Sequence, residues 1–372
     1  YALDPATHTV SFNVPAYDQK KALLIDPDLI FANLSGSPAD NWGYTATFDE
    51  NERAYGGGTF YSTSSASGSV NATMPTTPGA FQTTHQGGTG LFEGTDICLL
   101  RYNSTGTNLE YVTYIGGNSG DQPHSIIVDS LNRTYILART ASNNFPVSPG
   151  AYDQTYNGGG DIVIARLGAN GGSLAATYMG GSASDGIFDD DFSAGSVALS
   201  YYYADNFKGE IDLDQLGNVF VASSSASQDF PTTADAIQPN NASTTNPPLS
   251  AVVFSLDPEL DSLRFSTYWS GTNGMTAAYN IEVNDSGDVF VVGGTTSPSL
   301  LATAGTWQTP YRGGLADGWV ARFSPLADSL KALTFVGGPH YDQTYFMDLD
   351  TDGDVYIAGH CTGNASDFPM TV

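Results

Sequence analysis

The sequence predicts an all-β protein built from four-stranded units, on three observations. A strand ending in a pair of small residues recurs five times, an acidic hairpin follows each copy, and the composition suits short strands joined by turns. Among 372 residues there are 42 Gly and 19 Pro with abundant Ser, Thr, Tyr and Phe, and only 14% are charged. Amphipathic helices need a charged face, whereas aromatic and β-branched residues suit a pleated sheet. Length alone would allow two domains, so the repeats decide the organisation.

The strand copies are LIFANLSG at 29–36, YVTYIGG at 111–117, LAATYMGG at 174–181, RFSTYWSG at 264–271 and KALTFVGG at 331–338. The hairpins that follow read TATFDENERAY, IIVDSLNRTY, IDLDQLGNVF, IEVNDSGDVF and MDLDTDGDVY. From the second small residue to the first turn residue the spacing is 13, 12, 33, 13 and 12 residues, so only the third copy carries an insertion. A third element follows, MPTTPGAFQ, FPVSPGAYDQ, FPTTADAIQ and LLATAGTWQ, with FPMTV at 368–372 opening a fifth. Its prolines fix extended backbone and its aromatics can plug gaps between sheets, so it reads as an ordered packing loop. The fourth element is an apolar strand, GTDICLLRY, GDIVIARL, LSAVVFSL or ADGWVARF.

Together these give about four strands per unit of 64 to 90 residues, at least four full repeats and a partial fifth. Four-stranded units repeated radially are the blades of a β-propeller. A solenoid is the competing arrangement, but LIFANLSG stands as a final strand with no hairpin before it, as ring closure by the first residues would require. The expected organisation is a lead-in over 1–28 and propeller repeats over 29–372, divided at about 37–117, 118–181, 182–271, 272–338 and 339–372. The fifth copy stops before its fourth element, so further blades are expected to follow.

The Tyr-rich strand into Gly-Gly, the Asp-x-x-Gly-Asn hairpin, the FPTTxGAxQ loop and the Gly-Asp strand resemble the SBBP repeats of bacterial β-propellers, over most of 29–372. The opening SFNVPAYDQKKALLIDPDLIF is similar to the segment that leads into such repeats in large surface proteins of the Bacteroidota. The resemblance implies export by the type IX secretion system, a cell-surface or secreted location, and an adhesive or gliding-motility role; it carries no shared catalytic residue. Departures fall in the third copy, where PLSAVV replaces the Gly-Asp start, in the fourth, which lacks FPTT, and in an enlarged first.

Charge narrows the partners. Twelve Lys and Arg against 39 Asp and Glu give −27, which repels phosphate backbones and anionic lipid, so nucleic acid and direct membrane binding are not expected. Such acidity fits calcium coordination or simple solubility. Cys98 and Cys361 form no disulfide framework or zinc cluster and are expected as buried free thiols. No apolar run reaches the roughly 20 residues of a membrane helix.

Candidate chemistry is sparse. Asp348, Asp350, Asp352 and Asp354 alternate around Gly353, as in a calcium loop, but the same position is the hairpin turn of every repeat, where Asp, Asn and Gly serve the backbone. Asp189, Asp190 and Asp191 with Tyr201, Tyr202 and Tyr203 cluster in the insertion 182–210; they can form a ligand or partner surface, or an elaborated loop packed on its own blade. Ser130, Ser262 and Ser329 each follow Asp and precede Leu, similar to the O-glycosylation pattern of exported Bacteroidota proteins, or are plain turn serines. The five His show no metal spacing, and no nucleophile elbow, zinc helix or phosphate loop is present. The expectation is a non-catalytic module binding protein or glycan at the cell surface. The alternative is a glycosidase or lyase whose carboxylates come from several blades, and 39 acidic residues nominate no pair.

Overall fold

A computed structural model of the chain describes residues 2–4, 9–11, 31–32, 41–61, 74–87, 94–186, 199 and 209–362. The chain divides into two compact units, Tyr1–Asn33 and Leu34–Val372. In the first, β1 (Ala2–Asp4) pairs antiparallel with β2 (Thr9–Ser11). The strand copy expected at 29–36 falls almost wholly outside the described residues.

The second unit is a succession of antiparallel sheets, each built from consecutive strands. The first holds β3 (Asn41–Phe48), β4 (Ala54–Tyr61), β5 (Thr95–Tyr102) and β6 (Leu109–Ile115). The second holds β7 (Asp121–Val128), β8 (Thr134–Thr140), β9 (Asp161–Leu167) and β10 (Leu174–Met179). The third holds β11 (Glu210–Leu213), β12 (Val219–Ser225), β13 (Ser250–Leu256) and β14 (Leu263–Trp269). The fourth holds β15 (Thr276–Val283), β16 (Val289–Thr295), β17 (Asp317–Phe323) and β18 (Leu330–Val336), and β19 (Asp342–Leu349) with β20 (Val355–Cys361) begins a fifth. The first strands of successive sheets touch one another in order, from β3 to β19. The predicted class is the observed one, an all-β propeller of four-stranded blades.

Strand alternation explains how the sheets stack. Along β9, Val163, Ala165 and Leu167 join a core shared with the first sheet, while Ile162 and Ile164 join a core shared with the third. Each internal sheet is therefore apolar on both faces, which is why its strands read as continuous hydrophobic runs. Each Val, Ile and Leu among them contributes about 1.5–3 kcal/mol on burial.

The prolyl loop does more than plug a gap. Thr77 N–H donates to the Val112 carbonyl and Tyr114 N–H to the Gln82 carbonyl, so the loop covers the outer edge of β6. Its aromatics then reach the next sheet: Phe81 N–H donates to the Gly171 carbonyl and Tyr152 N–H to the Leu260 carbonyl. Covering an edge strand removes a template for unwanted pairing. Met74, Phe145, Phe230 and Leu300 are buried, in keeping with the packing role.

One expectation is corrected. Cys98 is buried, but Cys361 is exposed, because it sits on β20, which among the described residues has only β19 beside it.

Candidate functional site

Five hairpin turns, at 49–53, 129–133, 214–218, 284–288 and 350–354, share one construction. The first residue's side chain accepts from the backbone N–H groups two and four positions on: Asp49 from Asn51 and Arg53, Asp129 from Leu131 and Arg133, Asp214 from Leu216 and Asn218, Asn284 from Ser286 and Asp288, Asp350 from Asp352 and Asp354. The fourth residue takes a left-handed conformation: Glu52, Asn132, Gly217, Gly287 and Gly353 have φ between 60° and 85°. This is an Asx turn closing a hairpin with a bulge.

Of the proposed calcium residues, Asp350 therefore spends its Oδ1 on Asp352 and Asp354 N–H and its Oδ2 on the Tyr356 hydroxyl at 3.3 Å, while Asp348 accepts from Leu349 N–H. The turn accounts for the spacing. Among the described residues no group of three or more His, Cys, Asp or Glu is arranged to hold a metal ion.

These turns lie at one end of the strands and touch. Arg53 donates to Asn132 at 2.5 Å and Gln215 to Asp285 at 2.9 Å, linking the first turn to the second and the third to the fourth. Between the fourth and fifth lies a groove of about 470 Å³ lined by Glu282, Asp285, Asp350 and Asp352. On the same end Phe48, Leu131 and Leu216 are 78%, 63% and 80% exposed, far more than a core needs.

Beneath the turns the first strands bring carboxyls together. Asp212 on β11, Glu282 on β15 and Asp348 on β19 occupy the same position, two residues before the turn, and Glu210 lies on the same face of β11. Burial pushes the Glu282 carboxyl up to about 8, and repulsion from Asp212, Asp348 and Glu210 adds to it. Burial raises Asp212 to about 6 although it accepts from Leu213 N–H at 2.7 Å and Val283 N–H at 2.8 Å. Glu210 accepts from the Ser125 hydroxyl on β7. An acid that stays protonated, Glu282, beside one that ionises lower, Asp212, can donate and accept protons in one place. Sequence reasoning missed Glu210, Asp212 and Glu282. The signal for Asp212 and Glu282 was the position two before the turn, acidic in the last three copies but Thr47 and Ile127 in the first two; Glu210, four before its turn, had none.

Asp189, Asp190, Asp191, Tyr201, Tyr202 and Tyr203 lie outside the described residues. Leu199 of the same insertion is buried with Tyr279 and Tyr345, and its carbonyl accepts from Gln343 Nε2 at 3.1 Å. Ser130, Ser262 and Ser329 are exposed on hairpin turns.

The fold defines the class: this is a β-propeller repeat protein. The SBBP β-propeller repeat family matches residues 110–146, from β6 through the second hairpin into the loop that follows. No curated protein matches the chain. Among solved structures it is similar to the hydrazine synthase of Kuenenia stuttgartiensis, at 12% identity and a TM-score of 0.38, over 90% of this chain and 76% of that one. A mannose phosphorylase from Leishmania mexicana gives 10% identity and 0.33, over 85% and 78%. A gluconolactonase from Xanthomonas campestris gives 12% and 0.32, over 87% and 84%. None of the three bears on what this chain does.

Proposed function

We propose that the chain is a non-catalytic propeller module of a larger cell-surface or secreted bacterial protein, engaging a protein or glycan through the end that carries the hairpin turns. The observation that supports this is the exposure of Phe48 at the end of β3, beside the first turn, and of Leu131 and Leu216 on the second and third turns, where soluble surfaces favour polar residues. Export through a type IX system, a gliding or adhesive role and a Bacteroidota source follow from the SBBP resemblance. Ser130, Ser262 and Ser329 are open to glycosylation on such a chain, and calcium remains a ligand to test at Asp348–Asp354.

The test is binding of the purified chain to cell envelopes and to a glycan array, beside a Phe48→Ser, Leu131→Ser, Leu216→Ser variant. The reading expects binding lost in the variant at unchanged melting temperature. Equal binding by both would sink it.

The carboxyl cluster favours a second reading, a glycosidase or lyase. Glu282 would be the proton donor and Asp212 or Asp348 the base. Polysaccharide cleavage abolished by Glu282→Gln would replace the first reading with this one.

A further inference from the structure

At the opposite end of the strands, buried aspartates meet in pairs where one sheet passes to the next. Asp96 at the start of β5 lies within electrostatic reach of Asp121 at the start of β7, Asp161 on β9 of Asp185, and Asp317 on β17 of Asp342 on β19; each is at most 2% exposed. The Gly-Gly pair lies between them. A Cβ on Gly116 would stand 2.7 Å from Asp96 Oδ1 and 2.8 Å from Asp121 Oδ2. At Gly180 and Gly337 it would stand 2.8 Å and 2.7 Å from Asp161 and Asp317 Oδ1.

The hydrogen bonding of each pair is lopsided in the same way. Asp121, Asp185 and Asp342 accept from the N–H of Gly117, Gly181 and Gly338, each at 2.7 Å. Thr140 and Ser142 hydroxyls also donate to Asp121, and Ser225 and Ser227 hydroxyls to Asp185. Asp96, Asp161 and Asp317 accept through Oδ2 from Gln86, Asn157 and Arg312 N–H. Their Oδ1 atoms are fully buried and have no hydrogen-bond partner among the described residues. A buried carboxylate oxygen without a partner beside a second carboxylate is costly twice over. A proton on that Oδ1 removes both costs.

We propose that the two aspartates at each of these three junctions share one proton, with Asp96, Asp161 and Asp317 as donors through Oδ1 and Asp121, Asp185 and Asp342 as acceptors. The surrounding groups argue for a proton over a metal ion. They are N–H and O–H donors aimed at carboxylate oxygens, whereas a hard cation needs several further oxygen ligands. The third-to-fourth junction is the built-in comparison: Ser250 and Thr276 replace both acids at once, and Ser270 replaces the first glycine. Ser250 donates to Ser270, and the Thr276 and Thr295 hydroxyls meet at 2.9 Å. With no acid pair, no proton is needed and a Cβ fits.

Burial raises every member of the pairs, with Asp121, Asp161, Asp185 and Asp317 reaching about 7. Other titratable groups face each pair. His85 stands 3.8 Å from Asp96 Oδ1, and Cys98, Tyr114 and Tyr178 adjoin the first pair. Asp153, Arg139, Tyr156 and Tyr178 face Asp161, and Asp229 and Tyr268 face Asp185. Arg312 and Tyr311 face Asp317, and His340 and His360 face Asp342. Folded-state values above the unfolded one make the contribution of each pair full in acid and lost as pH rises through about 7.

The experiment is infrared spectroscopy of the full chain carrying Glu282→Gln, following the carbonyl stretch of protonated carboxyl groups from about pH 5 to about pH 9. The proposal expects a band that survives to about pH 7 and loses about one third of its intensity in each of Asp96→Asn, Asp161→Asn and Asp317→Asn. The same Glu282→Gln chain gives a second readout, a fall in stability as pH rises through about 7 that calcium does not reverse. A band gone by about pH 5 in the folded chain, or one unchanged in the Asn variants, overturns the proposal. So does a melting temperature raised by calcium and lowered by a chelator in this chain but not in the Asn variants, which would make the pairs metal ligands.

Discussion

The reason for a residue here often lies in the next sheet. Gly116 must be glycine because two carboxylates occupy the space of its Cβ, while Ser270, at the same place in the repeat, meets the Ser250 hydroxyl and the Gln238 amide and no carboxylate among its hydrogen-bond partners. Gly116→Ser should therefore cost about 2 kcal/mol in chemical denaturation, as overpacking does. Adding Asp96→Ser should recover part of that loss, the sign of direct coupling; additive effects would refute this account of Gly-Gly. The sequence displayed the whole pattern, since WSG and PLSAVV depart from the other copies together. Read as local motifs they are two unrelated changes, because the contact joining them spans β13 and the end of β14. The acid column of Asp212, Glu282 and Asp348 was hidden for the same reason: each is unremarkable in its own hairpin, and only the packing of β11, β15 and β19 side by side makes it a cluster.

At the scale of the element, repetition was legible because each hairpin closes with its own residues. Asp129 alone accepts from Leu131 N–H at 3.0 Å, Arg133 N–H at 2.8 Å and Arg133 Nε at 2.6 Å. Asp129→Ala should cost about 2 kcal/mol by urea unfolding, as loss of a charged acceptor with several donors does. Ser130→Ala in the same turn should change stability by less than about 0.5 kcal/mol. Equal effects would mean that the turn is held from elsewhere. The prolyl loop was legible as ordered, but its role as a cover for an edge strand was not, since nothing local shows which strand it meets. Trp307, in the fourth copy of that loop, is 52% exposed where Phe81 and Tyr152 reach the following sheet, and among the described residues the sheet beyond it has only β19 and β20.

For the molecule as a whole, a charge of −27 and a set of buried, raised carboxyls act in the same direction as pH rises. They separate by salt. Self-repulsion among exposed carboxylates is screened, so the melting temperature should climb between low salt and about 0.5 M NaCl. The contribution of Glu282, full below its unfolded value and lost as pH rises through about 8, is sheltered from ions. Glu282→Gln should therefore flatten the fall in stability between about pH 7 and about pH 9 at either salt concentration. An unchanged pH profile in that variant would remove Glu282 from the account.

The shared turn has one more consequence. Its shape is fixed by the first residue's side chain and the left-handed fourth residue, and the side chains between them add only Ser286 Oγ to Asn284 within a turn and Gln215 to Asp285 between two turns. Glu50 and Asn51, Ser130 and Leu131, Gln215 and Leu216, Asp285 and Ser286, Thr351 and Asp352 are in that sense spare letters held in a rigid frame. Their side chains can change without disturbing the sheet that displays them. A lineage carrying this frame can rewrite what the face recognises while the scaffold stays constant, as variable loops do on other all-β domains.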